Sequence, residues 1–350
     1  MSHTTTTPVR SDTCETLPHS SPGASASSAA DARPRDFDSP PPAKERRLAE
    51  ASSRLGGEEA RRARLAECAA QSRLACGAAE RDGRKGEDVA VVAPTFTGEL
   101  GADFYAVYDG HRGRAVASHA ARTLHCELAT ALAAAGGASD VPRALADAFA
   151  RCNADAEAQQ LLDGAAAVVF VALGARGWVA NAGDCRAVLH AGPGAVSRLS
   201  VDHRASEPSE RARVEAAGGT VEFDNLEGML AVSRGLGDFD FARSGFSCEP
   251  HVAGPIDLGA NDGGGGGGAP SEAGRFVLLA SDGVFDVMSD DEACALVAAS
   301  LADGTPPADA CRALLQNASA RGSRDDKAAI VVRLGAAAAA EAARSTSCEI

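Results

Sequence analysis

The run Phe104-Tyr-Ala-Val-Tyr-Asp109-Gly110-His111 is apolar and aromatic until it ends abruptly on an acid, a glycine and a histidine. That density of apolar side chains reads as a buried strand, and the glycine marks where the backbone must turn. A carboxylate at the mouth of a strand, followed by a residue that lets the chain come close, suits a hard cation with oxygen ligands. The same grammar recurs in Phe276-Val-Leu-Leu-Ala-Ser-Asp282-Gly283. A third acidic pair, Asp325-Asp326, closes a Gly-Ser-Arg turn just before the strand Ala329-Ile-Val-Val-Arg333. Aspartate is common in turns because it bonds its own backbone, and any one of these alone would be turn chemistry. Three of them beside apolar runs imply strand ends that meet. At about 4 Å and an effective dielectric of about 20, each like-charged pair repels by about 4 kcal/mol. Divalent cations remove that repulsion. Oxygen-only ligation points to Mg²⁺ or Mn²⁺ rather than zinc.

Composition narrows the class. With 350 residues and 45% hydrophobic content the chain can bury a full core, although length alone would allow two domains. The net charge of −14 argues against a nucleic-acid surface, which needs a basic patch. Ten cysteines are scattered without a Cys-x-x-Cys pair, so neither a zinc site nor a disulfide-stapled fold is indicated. No apolar run approaches the ~18 residues of a membrane span. The start, Met-Ser-His-Thr-Thr-Thr-Thr, lacks the apolar core of a secretory signal. The expectation is a soluble protein of a reducing compartment, cytoplasmic or nuclear, that works with neither nucleic acid nor membrane.

The elements that must carry the acids follow from periodicity. Residues 1–72 are expected to be disordered or weakly helical: the first ~50 are rich in Ser, Thr, Pro and Ala, and Glu58–Ala70 has the makings of a short charged helix. The folded domain is expected over 73–334, with a Gly-rich insertion at about 257–274 and a tail over 335–350. Val89–Val92 reads as a strand. Val116, Ala120, Leu124, Leu128 and Leu132 recur every four residues and predict a helix over Gly113–Ala135. Pro142, behind Ser139 and Asp140, opens a second helix that runs to about Leu162. Strands are predicted at Ala166–Ala172, Gly177–Asn181, Cys185–Leu189 and Leu230–Ser233, and a short helix at Ser209–Ala217. Helices at Asp290–Ala302 and Pro307–Ala318 precede the last strand. Strands and helices in separate runs imply an α+β fold, a pair of antiparallel sheets flanked by helix pairs.

At this point a family resemblance becomes specific. Phe-Tyr-Ala-Val-Tyr-Asp109-Gly-His-Arg-Gly113, Val179-Ala-Asn-Ala-Gly-Asp-Cys-Arg-Ala-Val188 and Leu199-Ser-Val-Asp202-His203 are followed by Leu230-Ala-Val-Ser-Arg-Gly-Leu-Gly-Asp238, Leu279-Ala-Ser-Asp282-Gly-Val-Phe-Asp-Val287 and Gly322-Ser-Arg-Asp325-Asp326. In this order the blocks resemble the PP2C (PPM) metal-dependent protein serine/threonine phosphatases over roughly residues 75–334. The resemblance implies a PP2C-like sandwich, phosphoprotein substrates and a monomer. It implies hydrolysis by a metal-activated water at a centre of two Mg²⁺ or Mn²⁺ ions, with a third bound weakly. Asp109 would bridge the two metals, with the Gly110 carbonyl on one. Asp282 and Asp325 would hold the other, and Glu87 with Asp88 would complete the set directly or through waters. Asp202 matches the acid of the weak third site. His111 would be the general acid for the departing oxygen, and Arg84 the grip on the phosphate. His203 reads as structural, and Trp178 as core.

Four departures from the family pattern stand out. The turn Gly83-Arg-Lys-Gly-Glu87-Asp88 is about two residues short, which leaves Arg84 or Lys85 to face the phosphate, and only arginine offers a bidentate fork. Arg112 replaces a glycine, Gly164-Ala-Ala-Ala167 replaces Gly-Ser-Thr-Ala, and Asp326 stands where asparagine is usual. None removes a metal ligand, so an active enzyme is expected. The alternative is a catalytically impaired relative that binds phosphoproteins or acts as a scaffold.

Overall fold

The computed structural model describes residues 57–335 apart from 58, 98–100, 136–139 and 260–273. Helix α1 (59–71) leads into strands β1 (Cys76–Arg81), β2 (Val89–Ala93) and β3 (Ala102–His111), then helices α2 (Ala115–Ala134) and α3 (Val141–Ala158). Strands β4 (Gly164–Leu173), β5 (Arg176–Ala182), β6 (Arg186–Gly192) and β7 (Ala195–Arg198) follow, then helix α4 (Pro208–Ala216). The short strands β8 (Val221–Glu222), β9 (Asn225–Leu226) and β10 (Leu236–Gly237) precede a 3₁₀ turn (Phe239–Ser244) and strand β11 (His251–Asp257). The chain closes with β12 (Arg275–Ala280), the single-turn α5 (Asp282–Phe285), α6 (Asp290–Ala302), α7 (Pro307–Ala320) and β13 (Lys327–Leu334).

Two antiparallel sheets result, one in the order β1-β13-β12-β6-β7 and the other β11-β5-β4-β3-β2, with β10 also paired to β4. Alternation along β3 explains the layering. Tyr105 and Val107 face the core between the sheets, where they join Val168, Phe170, Val277, Leu279 and Ile330. Phe104, Ala106 and Tyr108 face the other way, onto Leu124, Leu128 and Phe149 of α2 and α3. On the far side, Phe276, Leu278 and Val331 pack against Val297, Leu301, Leu314 and Leu315 of α6 and α7. Strands covered on both faces read as near-continuous apolar runs, which is why β3, β4 and β12 were visible in the sequence.

The α+β sandwich and its flanking helix pairs are as expected. The charged helix anticipated at 58–70 is α1, and it is tied to the sandwich: Leu65 and the half-buried Cys68 join the core between the sheets. Leu230–Ser233, expected as a strand, makes only single bridges, Val232 to Arg204 and Leu230 to Leu226. The Ser233 N–H donates to the His203 carbonyl within the first of these bridges, and its hydroxyl donates to Glu210 Oε2 at 2.6 Å. The expected N-terminal tail up to residue 56, most of the Gly-rich insertion and the C-terminal tail from 336 lie outside the described residues.

Candidate active site and metal centre

Four carboxylates arrive from four breaks in the chain. Asp88 precedes β2, Asp109 lies at the end of β3, Asp184 sits between β5 and β6, and Asp282 opens α5 directly after β12. Asp109 shares the inter-sheet side of β3 with Tyr105 and Val107, so it emerges at the edge of the central core. The four charges act on one another. Burial raises the pKa of Asp109 well above the carboxylate range, and the charges of Asp88, Asp282 and Asp184 raise it further. Burial likewise pushes Asp88 up to about 8, with Asp326 and Asp282 adding to the effect. Asp282 is pushed to about 7 by burial and then by Asp184 and Asp286.

Asp88 decides whether this group suits a cation. It is 4% exposed, and neither carboxylate oxygen has a hydrogen-bond partner. A buried charge so weakly compensated is costly: the Ser281 hydroxyl and Asp109 lie near enough to ease it, but burial outweighs them. A hard divalent ion supplies what is missing, and the donor set of carboxylate oxygens is one Mg²⁺ or Mn²⁺ accepts. Among the described residues, no three His, Cys, Asp or Glu side chains close on one point as a finished ligand set. The acids form an open group.

The shortened turn ahead of Asp88 is strapped from outside. Asp326 Oδ1 accepts from the Gly83 N–H, its Oδ2 accepts from the Glu87 N–H at 2.7 Å, and Arg114 Nη1 donates to the Gly86 carbonyl. The two N–H groups reach two different oxygens, which a carboxylate offers and an amide, with one oxygen and one NH₂, does not. The aspartate at 326 therefore belongs with the short turn. A Cβ on Gly110 would come within 2.8 Å of the Glu87 carbonyl oxygen, so the end of β3 lies directly against this turn. Lys85 Nζ is 3.4 Å from Glu87 Oε2. Arg84 is exposed on the same turn and makes no ion pair among the described residues.

Asp325 is exposed, takes the Asp326 N–H on Oδ1 at 2.9 Å, and its charge is felt at Asp282. Asp202 is gripped by guanidinium groups: Arg186 Nε lies 3.0 Å from both its oxygens, and Arg198 Nη1 3.3 Å from one. His111 Nε2 lies 2.5 Å from Oδ2 of the fully buried Asp238. Arg112, at a backbone φ of +64°, turns its guanidinium onto Asp238 Oδ1 at 3.0 Å and Asp240 Oδ2 at 3.2 Å. His203 is buried at 2% exposure, and its Nδ1 accepts from the Gly183 N–H at 3.3 Å, the structural place expected of it.

Residues 81–327 match the family model described as Protein phosphatase 2C. The chain belongs to the protein phosphatase 2C family. It is 36% identical over 265 residues to a probable protein phosphatase 2C 8 of Oryza sativa subsp. japonica, covering 66% of this chain and 62% of that protein. Identity is 32% over 258 residues to the integrin-linked kinase-associated serine/threonine phosphatase 2C of Bos taurus, 66% of each chain. It is 35% over 243 residues to the human probable protein phosphatase 1N, 65% of this chain and 53% of that one. The chain thus spans between about half and two thirds of these relatives' lengths. Among solved structures, a serine-threonine phosphatase 2C from Toxoplasma gondii superposes with a TM-score of 0.62 at 20% identity, covering 74% of this chain and 94% of that one. A C. elegans sex determining protein gives 0.64 at 22%, covering 78% and 67%. These two likenesses speak for the fold.

Three residues that the fold brings to the acidic group or to His111 were not singled out from the sequence. Asp184 had a signal, since it ends an apolar strand with glycine before the acid instead of after it. Asp238 lay inside a matching block but shows its use only across the fold, beside His111. Arg204 gave no local signal. Its Nε lies 3.0 Å from Asp184 Oδ2, and its Nη2 lies 2.9 Å from Asp286 Oδ1 and 3.6 Å from Asp282 Oδ2, so it is a fixed cation in the acidic group.

Proposed function

We propose that this chain is a divalent-metal-dependent protein phosphatase that hydrolyses phosphoserine and phosphothreonine. The observation that carries the proposal is Asp88, buried with both oxygens unpaired among the acids Asp109 and Asp282. The printed names of the serine/threonine phosphatase relatives support the substrate class. Glu87, Asp88, Asp109, the Gly110 carbonyl, Asp282 and Asp325 would hold two Mg²⁺ or Mn²⁺ ions. Asp202 would serve a third only by leaving Arg186 and Arg198. Bound metals would supply Lewis-acid activation of the attacking water and neutralise the phosphate charge. His111 gives its proton to the departing serine or threonine oxygen. Arg84, which makes no ion pair among the described residues, binds the phosphate oxygens. The fixed charge of Arg204 relieves Asp184 and Asp282, which lowers the repulsion an incoming phosphate meets. The substrates are phosphoproteins, met by a monomer in the cytoplasm or nucleus.

The test is hydrolysis of a phosphothreonine peptide with Mn²⁺, then with excess chelator. Turnover is expected to stop with the chelator and to be abolished in Asp109→Ala and Asp282→Ala. A folded Asp282→Ala with unmutated turnover at saturating Mn²⁺ would overturn the ligand assignment. Phosphopeptide binding without turnover under any divalent ion would make the chain a binding module.

A further inference from the structure

We infer that Asp238 is a positioning residue for His111, fixing which ring nitrogen faces the substrate, and that Gly164 is the gap that lets the pair form. The inference rests on the acid role proposed above for His111.

The pairing is built by topology. Gly164, the first residue of β4, pairs with His111 of β3 on one side and with Gly237 of β10 on the other. The residue after Gly237 is thereby delivered to His111 across 127 positions of sequence. Asp238 adopts φ 49° and ψ 39°, a left-handed conformation that aspartate tolerates better than most residues but that a simple strand end does not require. Its N–H donates to the Asp163 carbonyl at 3.2 Å. The Asp163 carboxylate in turn accepts from the Ala115 and Val116 N–H groups at the start of α2, at 2.5 and 2.9 Å. The helix that follows His111 and the loop that carries Asp238 are thus anchored to one residue.

Space at the pair is closed except at glycine. A Cβ on Gly164 would collide with both Asp238 Oδ2 and His111 Nε2. The carboxylate is fully used: Oδ2 faces His111, and Oδ1 accepts from Arg112 Nη1. Arg112 also supplies the positive charge that this buried acid needs when His111 is neutral. With Nε2–H donating to Asp238, Nδ1 is the nitrogen left to exchange a proton with substrate. Holding a catalytic imidazole in one tautomer and one orientation is what a buried acid partner does for it. A merely structural Asp238 would leave no such signature. Its loss would lower stability and slow every substrate alike.

The experiment is a double-mutant cycle. D238N, H111A and the double variant are assayed with Mg²⁺ on a phosphothreonine peptide and on an aryl phosphate, whose leaving group needs little protonation. D238N is expected to lower kcat on the peptide by at least about 10-fold, between the ~10–100-fold loss of a partner that orients a metal-bound histidine and the ~10⁴ loss in a catalytic triad. The aryl phosphate should lose much less, KM should stay near the unmutated value, and D238N should cost nothing more in the H111A background. An undiminished D238N loss in that background, with H111A itself damaging, would overturn the positioning role alone. A silent H111A would overturn the acid role and the positioning claim together. Because D238N also strips Arg112 of a partner, the unmutated Mg²⁺-loaded protein gives a second readout. Long-range ¹H–¹⁵N histidine spectra are expected to show the neutral His111 ring as the Nε2–H tautomer. An Nδ1–H ring would overturn the pairing whatever the rates.

Discussion

Replacing Asp88 by asparagine separates the electrostatic cost of that carboxylate from its use. The group is buried, unpaired and raised to about 8 by burial, so its charged form destabilises the metal-free fold. Asp88→Asn removes the charge and keeps the shape. The metal-free variant is expected to melt higher than the unmutated chain, each kcal/mol gained being worth roughly 2–4 °C in a domain of this size. Its Mg²⁺-induced rise in Tm should shrink, and its peptide hydrolysis should disappear. A lower metal-free Tm with an unchanged Mg²⁺ response would mean that Asp88 serves the fold and not a cation. Arg84 is the second residue to test. Arg84→Lys should already weaken hydrolysis, because an ammonium cannot reproduce the two parallel bonds of a guanidinium. Lys85→Ala should cost less, since Lys85 is turned to Glu87. The reverse order in measured kcat/KM would exchange their roles.

At the scale of elements, the turn over residues 83–87 is the part most shaped by its partner. Asp326 receives two backbone N–H groups from it and is 3% exposed. Asp326→Asn would turn one amide NH₂ toward an N–H and leave a buried donor unsatisfied, at a cost of about 1–3 kcal/mol. The expected result is a lower urea midpoint and a raised KM for phosphopeptide, read by denaturation and steady-state kinetics, as the turn carrying Arg84 and Glu87 loosens. An unchanged KM would detach the strap from substrate binding. Other elements show what sequence can and cannot reveal. Helix α6 begins where it was expected because Ser289 and Glu292 form a reciprocal capping box, a local device. Strand β1, Cys-Gly-Ala-Ala-Glu-Arg, has little intrinsic strand preference and was not anticipated. It extends because six of its residues register along β13. β11 escaped for a related reason: Gly254-Pro255 interrupts its pairing with β5 between Ala253 and Ile256, and a strand signal with it.

For the whole molecule, Asp109 and Asp282 were legible because long apolar strands point at them, whereas Asp238 and Arg204 act only through partners brought close by folding. The same assembly sets how stability responds to pH and metal. Burial lowers His203 to about 4, so the unfolded chain, with histidine near 6.5, binds more protons between those values. That contribution to stability is complete above about 6.5 and is lost as pH falls toward 4. The acids have the opposite sign. Asp282 and Asp88, at about 7 and 8 when folded against about 3.9 unfolded, make the folded state hold more protons across that range. The metal-free fold therefore loses stability as pH rises through it. Between pH 6.5 and 8 His203 is silent and only the acids act, so the metal-free Tm is expected to fall as pH rises. Mg²⁺ competes with those protons, so it binds more tightly at pH 8 and should cancel the fall. The increment in Tm on adding Mg²⁺, measured by calorimetry at fixed ionic strength, is expected to be larger at pH 8 than at 6.5. An equal or smaller increment at pH 8 would show that the ion does not displace protons from these carboxylates, and the acidic group would lose its claim to be the metal centre.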